Sequence, residues 1–218
     1  MKQYLLLIAM LTSGTMCMSQ LPVSKEPMHH NVFENSYLRV LDVHLAPGDT
    51  SLFHKHETPS VFIVLNPVKT GSEVIIEDGT STALLKDSAI SFESFARSPR
   101  IHRVWNADTS EFHVMDVEIL NKDHRDIGPT TKSADFRLLF DEQSLRGYRV
   151  TLKAGGKISL PASYPYLVVC LNDAASNAIV NKKVFIKKGD YLFIKPGEKI
   201  SFNNKGKQAY SFAVIEVK

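Results

Sequence analysis

The fold is decided by a stretch in the first half of the chain, which reads Gly48-Asp49-Thr50-Ser51-Leu52-Phe53-His54-Lys55-His56. Because one residue separates His54 from His56, both side chains point to the same face of a sheet if the segment is a β-strand. The apolar run Val61-Phe62-Ile63-Val64-Leu65 follows and is typical of a buried strand. The stretch therefore predicts a strand that carries a pair of candidate metal-ligating histidines.

Length and composition place few limits on the fold but exclude some functions. The chain has 218 residues, enough for one large or two small domains. It is 44% hydrophobic and 22% charged, which is ordinary for a globular protein, and nothing in these values indicates disorder. A formal net charge of +3 is too small to indicate binding to nucleic acid or to a membrane surface.

The N-terminus has the anatomy of a secretory signal peptide. Lys2 precedes an apolar run over residues 4–11 and a polar segment over residues 12–15. The apolar run is too short to span a bilayer. We expect residues 1–19 to be removed before Gln20, giving a periplasmic or secreted protein without a stable membrane anchor. A lipid anchor on Cys17 is less favoured, because the large Met16 stands where a small residue is needed.

The rest of the chain predicts an all-β protein. Short apolar or alternating segments are separated by turn signals such as Pro47-Gly48, Gly71 and Pro99. No long segment has a helical period of 3.6 residues. Many short strands at regular spacing indicate a sandwich or a barrel.

The two halves of the chain are similar in sequence, which predicts a duplication. Residues 32–39 align with residues 139–146, and residues 58–66 align with residues 164–172 after the loss of one residue. Residues 112–117 align with residues 212–217. We expect an N-terminal domain over residues 20–122 and a C-terminal domain over residues 123–218. All eight histidines lie between His29 and His124, so any histidine chemistry belongs to the first domain.

The spacing of the conspicuous residues resembles the two motifs of the cupin superfamily. The first cupin motif has a glycine, five residues and His-x-His, which Gly48, His54 and His56 match. The second motif ends in a histidine, three residues and an asparagine, which His102 and Asn106 match. The resemblance implies two tandem cupin-type barrels (double-stranded β-helix or jelly roll). It also implies that His54, His56 and His102 bind a divalent metal ion.

The second half resembles the cupin turns without the metal ligands. Residues 189–200 follow the second motif closely, but Ile200 stands at the ligand position. Pro161 and Ser163 fall where the histidine pair is expected. The resemblance therefore implies a degenerate C-terminal barrel that has no metal site.

The glutamate that cupins use as a further ligand has no counterpart, because its position falls on Ser60 or Val61. Three protein ligands leave coordination positions open for water, dioxygen or a substrate. Some cupin dioxygenases are similar in using three histidines and no carboxylate. This similarity favours Fe(II), with Zn, Mn, Ni and Cu as alternatives.

Other polar residues are weaker candidates. Ser60, Arg97, Arg100 and Arg103 are candidate substrate-binding residues, and one of the arginines could hold a carboxylate. A solvated basic loop is the alternative for the arginines, and no residue is assigned a catalytic role.

The remaining histidines admit structural interpretations. For His29 and His30 a solvated arm is favoured over a cover on the barrel mouth. His44 shares a strand face with Asp42, which favours a structural pair, and His113 could point into the barrel.

Three functions are compatible with the sequence. The first is an exported, metal-dependent enzyme that acts on a small molecule, most simply an Fe(II) dioxygenase. The second is a non-enzymatic module that binds or senses a small molecule, and the third is an isomerase or lyase that acts on a sugar. The expected partner is a small-molecule ligand, with a homodimer as an option, because fold alone does not define the reaction.

Overall fold

Strands make up nearly all of the regular structure. The computed structural model describes residues 21–75, 80–84, 88–95, 97–124, 128, 130–131 and 133–218. The predicted signal peptide and the alternative anchor Cys17 lie outside the described residues. Within them, the helical structure is limited to one 3-10 turn, Val23–Lys25, and the expected all-β class is confirmed.

Each half of the chain contributes two sheets. The strands of the first half are β1 (Leu21–Pro22), β2 (His29–Glu34), β3 (Leu38–Leu45), β4 (His54–His56), β5 (Ser60–Asn66), β6 (Lys69–Val74), β7 (Thr80–Leu84), β8 (Ile90–Glu93), β9 (Arg100–Asn106) and β10 (Phe112–Ile119). The strands of the second half are β11 (Phe136–Asp141), β12 (Leu145–Leu152), β13 (Lys157–Ala162), β14 (Tyr166–Cys170), β15 (Ala178–Val180), β16 (Lys183–Phe185), β17 (Tyr191–Ile194), β18 (Glu198–Asn204) and β19 (Tyr210–Val217).

The sheet orders are similar in the two halves. The first half has a site sheet, β1-β4-β9-β6-β7, and a first central sheet, β2-β3-β10-β5-β8. The second half has a second central sheet, β11-β12-β19-β14-β17, and an outer sheet, β13-β18-β15-β16. In the first central sheet β10 lies between β3 and β5, and in the second central sheet β19 lies between β12 and β14. The two central sheets therefore have the same topology.

Alternate side chains of the first central sheet point into two different cores. On β10, Phe112 and Val114 point into the first barrel. Met115, Val117 and Ile119 point the other way and pack in a core that both halves share. Because β10 is buried on both faces, apolar residues occupy five of its eight positions.

The shared core joins the two central sheets face to face. From the first half it contains Leu38, Val40, Val61, Ile63, Leu65, Met115, Val117 and Ile119, and from the second half Leu145, Leu167, Val169, Leu171, Ala213, Ile215 and Val217. All of these side chains are buried, so the two halves pack through an apolar interface.

The strand registers correct the expected alignment at the histidine pair. His54 lies opposite His102 on β9, as Leu160 lies opposite Ile200 on β18. The structural twins of His54 and His56 are therefore Leu160 and Ala162. The expected twins, Pro161 and Ser163, are wrong by one residue, because sequence alone does not show where in the loop the single gap falls.

The last strand also needs a correction. Phe112 at the start of β10 lies opposite Leu45, and Tyr210 at the start of β19 lies opposite Leu152. Residues 112–119 therefore correspond to residues 210–217, and the expected alignment of 112–117 with 212–217 is wrong by two residues. A slip of two residues keeps every side chain on its original face, so the apolar pattern cannot detect it.

Candidate metal centre

Three histidines from two neighbouring strands meet inside the first barrel. His54 and His56 point to the same face of β4 and are 1% and 2% exposed. The ring centroid of His102, on β9, lies 4.7 Å from that of His54 and 5.0 Å from that of His56. The rings of His54 and His56 are 5.0 Å apart, so the structure brings together the three residues that the sequence singled out.

Several nitrogens of this triad are buried without a hydrogen-bond partner. They are Nε2 of His54, Nε2 of His102 and Nδ1 of His56. Nδ1 of His54 lies 2.8 Å from the Leu52 carbonyl oxygen, which can only accept, so this nitrogen carries the proton and Nε2 keeps a lone pair. Buried polar atoms without partners are costly. A bound metal ion would satisfy Nε2 of His54 and Nε2 of His102, whereas Nδ1 of His56 faces Asp116.

The triad is held in its neutral form. Burial, with the neighbouring His29, lowers the pKa of His54 to about 4. Burial, with His54 close by, lowers the pKa of His102 to about 3. Burial and the adjacent histidines lower the pKa of His56 still further. Since imidazole must be deprotonated to bind a metal, the triad can do so at neutral pH without losing protons.

A buried carboxyl group lies behind His56. Oδ2 of Asp116 is 3.5 Å from Nδ1 of His56, and both Asp116 oxygens lack a hydrogen-bond partner. Burial and the neighbouring Glu118 raise the pKa of Asp116 well above its usual range. A carboxylate beside a metal-ligating histidine fixes the orientation of its ring. Sequence reasoning missed Asp116, although it is an inward-facing acid between Met115 and Val117 in a buried, mainly apolar strand.

The N-terminal arm brings a fourth histidine to the triad. The ring centroid of His29 lies 4.6 Å from that of His54. The candidate ligand atoms of His29, His54 and His56 are all within 4.8 Å of one another. Glu26 holds Nδ1 of His29 at 2.5 Å. Burial raises the pKa of Glu26, but its hydrogen bonds more than offset this and the pKa lies below its usual value. His29 thus covers the site, while His30 is exposed.

The triad opens into a cavity of about 460 Å³. Of the residues that the structure describes, eight with apolar side chains and eleven with polar ones line it, and the polar ones include the histidines of the triad. The lining residues are His29, Val43, Leu45, Ser51, His54, His56, Phe62, Val64, Thr70, Ser72, Val74, Ser91, Glu93, Arg100, His102, Val104, Phe112, Val114 and Asp116. A concave site that combines apolar side chains with convergent polar groups is typical of a small-molecule pocket.

The four candidate substrate-binding residues lie in different places. Arg100 lines the cavity and lies over the ring of Phe95, 5.3 Å from its centroid. Arg97 is exposed and lines an adjoining groove. Arg103 donates from Nε to Glu73 at 2.7 Å. Ser60 is buried, and its hydroxyl donates to the Thr58 carbonyl oxygen at 3.1 Å.

A second group of polar side chains lies on the opposite face of the first central sheet. Nε2 of His113 donates to Asp42 at 2.7 Å, and the rings of His44 and His113 stack 4.0 Å apart at 23°. The sequence allowed His113 to point into the barrel, but its side chain lies on the opposite face of the sheet, with Asp42 and His44. The hydrogen bond occupies Nε2 of His113, and nearly parallel rings aim their lone pairs poorly at one ion. The group fits the structural pair expected for His44 and Asp42.

The second barrel has apolar residues at the positions of the polar site. The strand registers place Leu160, Ala162 and Ile200 at the positions of His54, His56 and His102. Val214 takes the position of Asp116, and Phe136 that of His29. All five belong to or pack against the core of that barrel. The five polar residues are therefore absent together, which suggests that they serve one site.

Solved structures with similar folds are numerous, whereas no protein-family model and no curated protein sequence matches the chain. YhhW from Escherichia coli is 12% identical with a TM-score of 0.61, and the match covers 89% of each chain. Salicylate 1,2-dioxygenase from Pseudaminobacter salicylatoxidans is 10% identical with a TM-score of 0.57, covering 83% of this chain and 71% of that one. A cupin 2 conserved barrel domain protein from Leptotrichia buccalis is 13% identical with a TM-score of 0.55, covering 87% and 88%.

These identities support a common fold and leave the reaction to be argued from the site. The expected resemblance to cupins is confirmed at the level of the fold. The chain therefore has the cupin fold in its duplicated form, with a candidate metal centre in the first of two tandem barrels.

Proposed function

We propose that the first barrel binds one divalent metal ion through His54, His56 and His102 and acts as a metal-dependent enzyme on a small molecule, most simply as an Fe(II) dioxygenase. The observation that carries the proposal is the convergence of three buried imidazoles, on two of which, His54 and His102, Nε2 has no hydrogen-bond partner. A hydrogen-bonded structural role would have provided partners for them. Three neutral nitrogen ligands also suit Zn, Mn, Ni and Cu.

The chain's own residues would orient the ion and the substrate. The carbonyl oxygen of Leu52 fixes the His54 ring, and Asp116 lies behind His56. When bound, the metal would supply Lewis acidity and, for iron, one-electron chemistry with dioxygen. The apolar walls would exclude water and hold the body of the substrate.

A carboxylate-bearing substrate fits the mouth of the cavity. Arg100 lines it, and its ion pair with Glu93 is long, at 3.6 Å, with both side chains partly exposed. Such a pair is weak, so the guanidinium can bind a substrate carboxylate instead. One structural neighbour is a salicylate 1,2-dioxygenase, and an aromatic carboxylate would match the combination of Arg100 with apolar walls.

The decisive experiment combines metal analysis with turnover. We expect about one metal ion per chain in protein purified without added metal, and loss of that ion in His54→Ala and His102→Ala. Dioxygen uptake by Fe(II)-loaded protein is then measured with aromatic and aliphatic carboxylates. Folded protein that neither retains nor takes up metal would overturn the proposal. Ligand-induced thermal stabilisation without turnover would favour a binding module instead.

Export is part of the proposal and rests on the sequence of residues 1–19. Among the residues that the structure describes, no helix is long and apolar enough to cross a membrane. Sequencing the N-terminus of protein recovered from the periplasm or medium tests export. A mature chain that begins near Gln20 is expected, and an intact Met1 in the cell interior would contradict it.

A further inference from the structure

The N-terminal arm is attached beside the strand that carries the histidine pair. β1 pairs in parallel with β4, with Leu21 opposite His54 and Pro22 opposite Lys55. Val23 is buried in the core of the first barrel. The arm then turns, and β2 begins at His29, opposite Val43 on β3. Because Val43 points into the barrel, His29 does so as well.

Glu26 fixes the ring of His29 through a set of short hydrogen bonds. Its side chain is 1% exposed. Oε1 accepts from the backbone N–H of Leu52 at 3.0 Å, and Oε2 accepts from that of Met28 at 2.8 Å. A carboxylate that already accepts two N–H groups also accepts from Nδ1 of His29, at 2.5 Å. Nδ1 therefore carries the proton, and the lone pair of His29 is on Nε2.

One residue, Leu52, connects this pair to the triad. The N–H of Leu52 donates to Glu26, and the carbonyl oxygen of Leu52 accepts from Nδ1 of His54. The orientations of His29 and His54 are thus set by the two ends of the same residue. Histidines that ligate metals are commonly held through their other nitrogen by a carboxylate or a backbone carbonyl, and these two show one case of each.

The second barrel lacks both members of the pair. The N–H of His29 donates to the Glu26 carbonyl oxygen, and the N–H of Phe136 donates to that of Ser133. The same turn therefore carries Ser133 and Phe136 where the first barrel has Glu26 and His29. A pair needed only to hold the arm would be expected in both barrels, because both keep the turn.

We propose that His29, held by Glu26, is a fourth protein ligand of the metal centre, supplied by the N-terminal arm instead of by either motif. The proposal rests on the proposed metal site in the first barrel. His29 would take a coordination position that is free because the glutamate of the cupin motif is absent. The metal ligands would then be four imidazoles. The side chain of His29 is only 8% exposed and lines the cavity, so it lies where such a ligand is needed.

The test uses Cu²⁺ as a probe in the chain without the proposed signal peptide, residues 20–218. Pulsed electron paramagnetic resonance counts the imidazoles bound to Cu²⁺, and a competing chelator gives the affinity. We expect four imidazoles in the wild type and three in His29→Gln, with Cu²⁺ affinity reduced at least about tenfold. His30→Gln, at the exposed neighbouring position, is the matched control and should retain four imidazoles.

The outcomes separate this inference from the proposed function. Three imidazoles in the wild type, with unchanged affinity in His29→Gln, would overturn the role of His29 and leave the triad standing. Cu²⁺ bound without imidazole in the wild type, or bound equally well by His54→Ala, would overturn both. The imidazole count in the wild type needs no variant to fold, so the inference can be rejected even if His29→Gln is unstable.

Discussion

Asp116 should favour metal binding without stabilising the fold of the metal-free protein. Its carboxyl group is buried without a hydrogen-bond partner and lies 3.5 Å from His56. We expect Asp116→Asn to lower metal affinity by about 10–100-fold, because the amide cannot take the ionised form that a bound cation would favour beside His56. The free energy of unfolding of the metal-free protein should not fall, because a buried ionisable group is removed.

Metal competition and urea unfolding test both parts of this prediction. Glu111→Gln, at an exposed carboxylate that does not line the cavity, is the matched control. Unchanged metal affinity in Asp116→Asn would show that the carboxyl group does not orient His56.

The neutral triad also predicts a pH dependence for the metal-free protein. The pKa values of His54 and His102 are about 4 and about 3, below the ordinary 6.5. As the pH falls below about 6.5 the unfolded chain binds protons that the folded chain does not, so the free energy of unfolding should decrease. It should be constant in this respect above that pH.

Urea unfolding at about pH 7.5 and about pH 5 measures the effect. Asp116, with its raised pKa, opposes the histidines, so the comparison is made with the double variant His54→Leu/His102→Ile, which keeps Asp116. A pH dependence as steep in this variant as in the wild type would contradict the prediction.

At the residue scale, sequence could predict what local spacing contains. His54 and His56 follow from strand alternation, and His102 from its spacing to Asn106 within a known type of motif. His29 and Asp116 reach the site through sheet pairing with distant strands, and no local spacing shows that. The one signal in the sequence was Asp116, an inward-facing acid in the buried strand β10. The two-residue error in the alignment concealed it, because it placed Asp116 over Glu216 instead of over Val214.

At the scale of strands, β6 and β9 pack so closely that one position must be glycine. Gly71 lies opposite Trp105, and a Cβ atom there would be 1.9 Å from the indole Cε2. We expect Gly71→Ala to displace Trp105 and to lower the free energy of unfolding by about 1–3 kcal/mol. Because Ser72 contacts His102 at 3.2 Å, metal affinity should fall as well.

A double-mutant cycle isolates this clash. In a Trp105→Ala background the cost of Gly71→Ala should nearly vanish, since the atoms that it would meet are gone. An equal cost in both backgrounds would place the origin elsewhere, in the strand backbone.

Alternation and turn signals predicted the all-β class, the strand of His54 and His56 and the buried run at β5, because these depend on neighbours in sequence. The strand registers were harder to predict from sequence. The length of a turn decides where a one-residue gap falls, and apolar alternation does not change when a strand shifts by two residues. Phe95, which lies just after β8, was also missed, although its ring stacks on that of His56 with centroids 5.2 Å apart.

At the scale of the whole molecule, the shared core between the central sheets predicts a single unfolding transition. Neither half can lose its central sheet without exposing apolar side chains of the other. The single tryptophan of the chain, Trp105, reports on the first barrel, and far-ultraviolet circular dichroism reports on both. We expect the two urea transitions to coincide. Separate midpoints would mean that the barrels are independent.

The duplication also supplies a designed control for the site. The variant His54→Leu/His56→Ala/His102→Ile/Asp116→Val gives the first barrel the residues that the second already packs. It should lose metal binding and keep its fold, with a free energy of unfolding of the metal-free protein raised by about 1–4 kcal/mol, since buried polar groups without partners are removed. Loss of the fold in thermal melts would show that these residues are structural.

The duplication itself was visible in sequence, because both halves keep the same order of turns and apolar runs. The packing of one half on the other was not, since an apolar strand buried on both faces does not reveal what covers its outer face.

The two central sheets cover each other within one chain, and this has a consequence for quaternary structure. The outer face of the first central sheet, with Ile63, Met115 and Val117, is already occupied by the second barrel. The second barrel of the same chain thus takes the place that a second molecule would take in a dimer of single barrels. A homodimer would have to form through other surfaces, and it would leave the packing behind the strand of Asp116 unchanged.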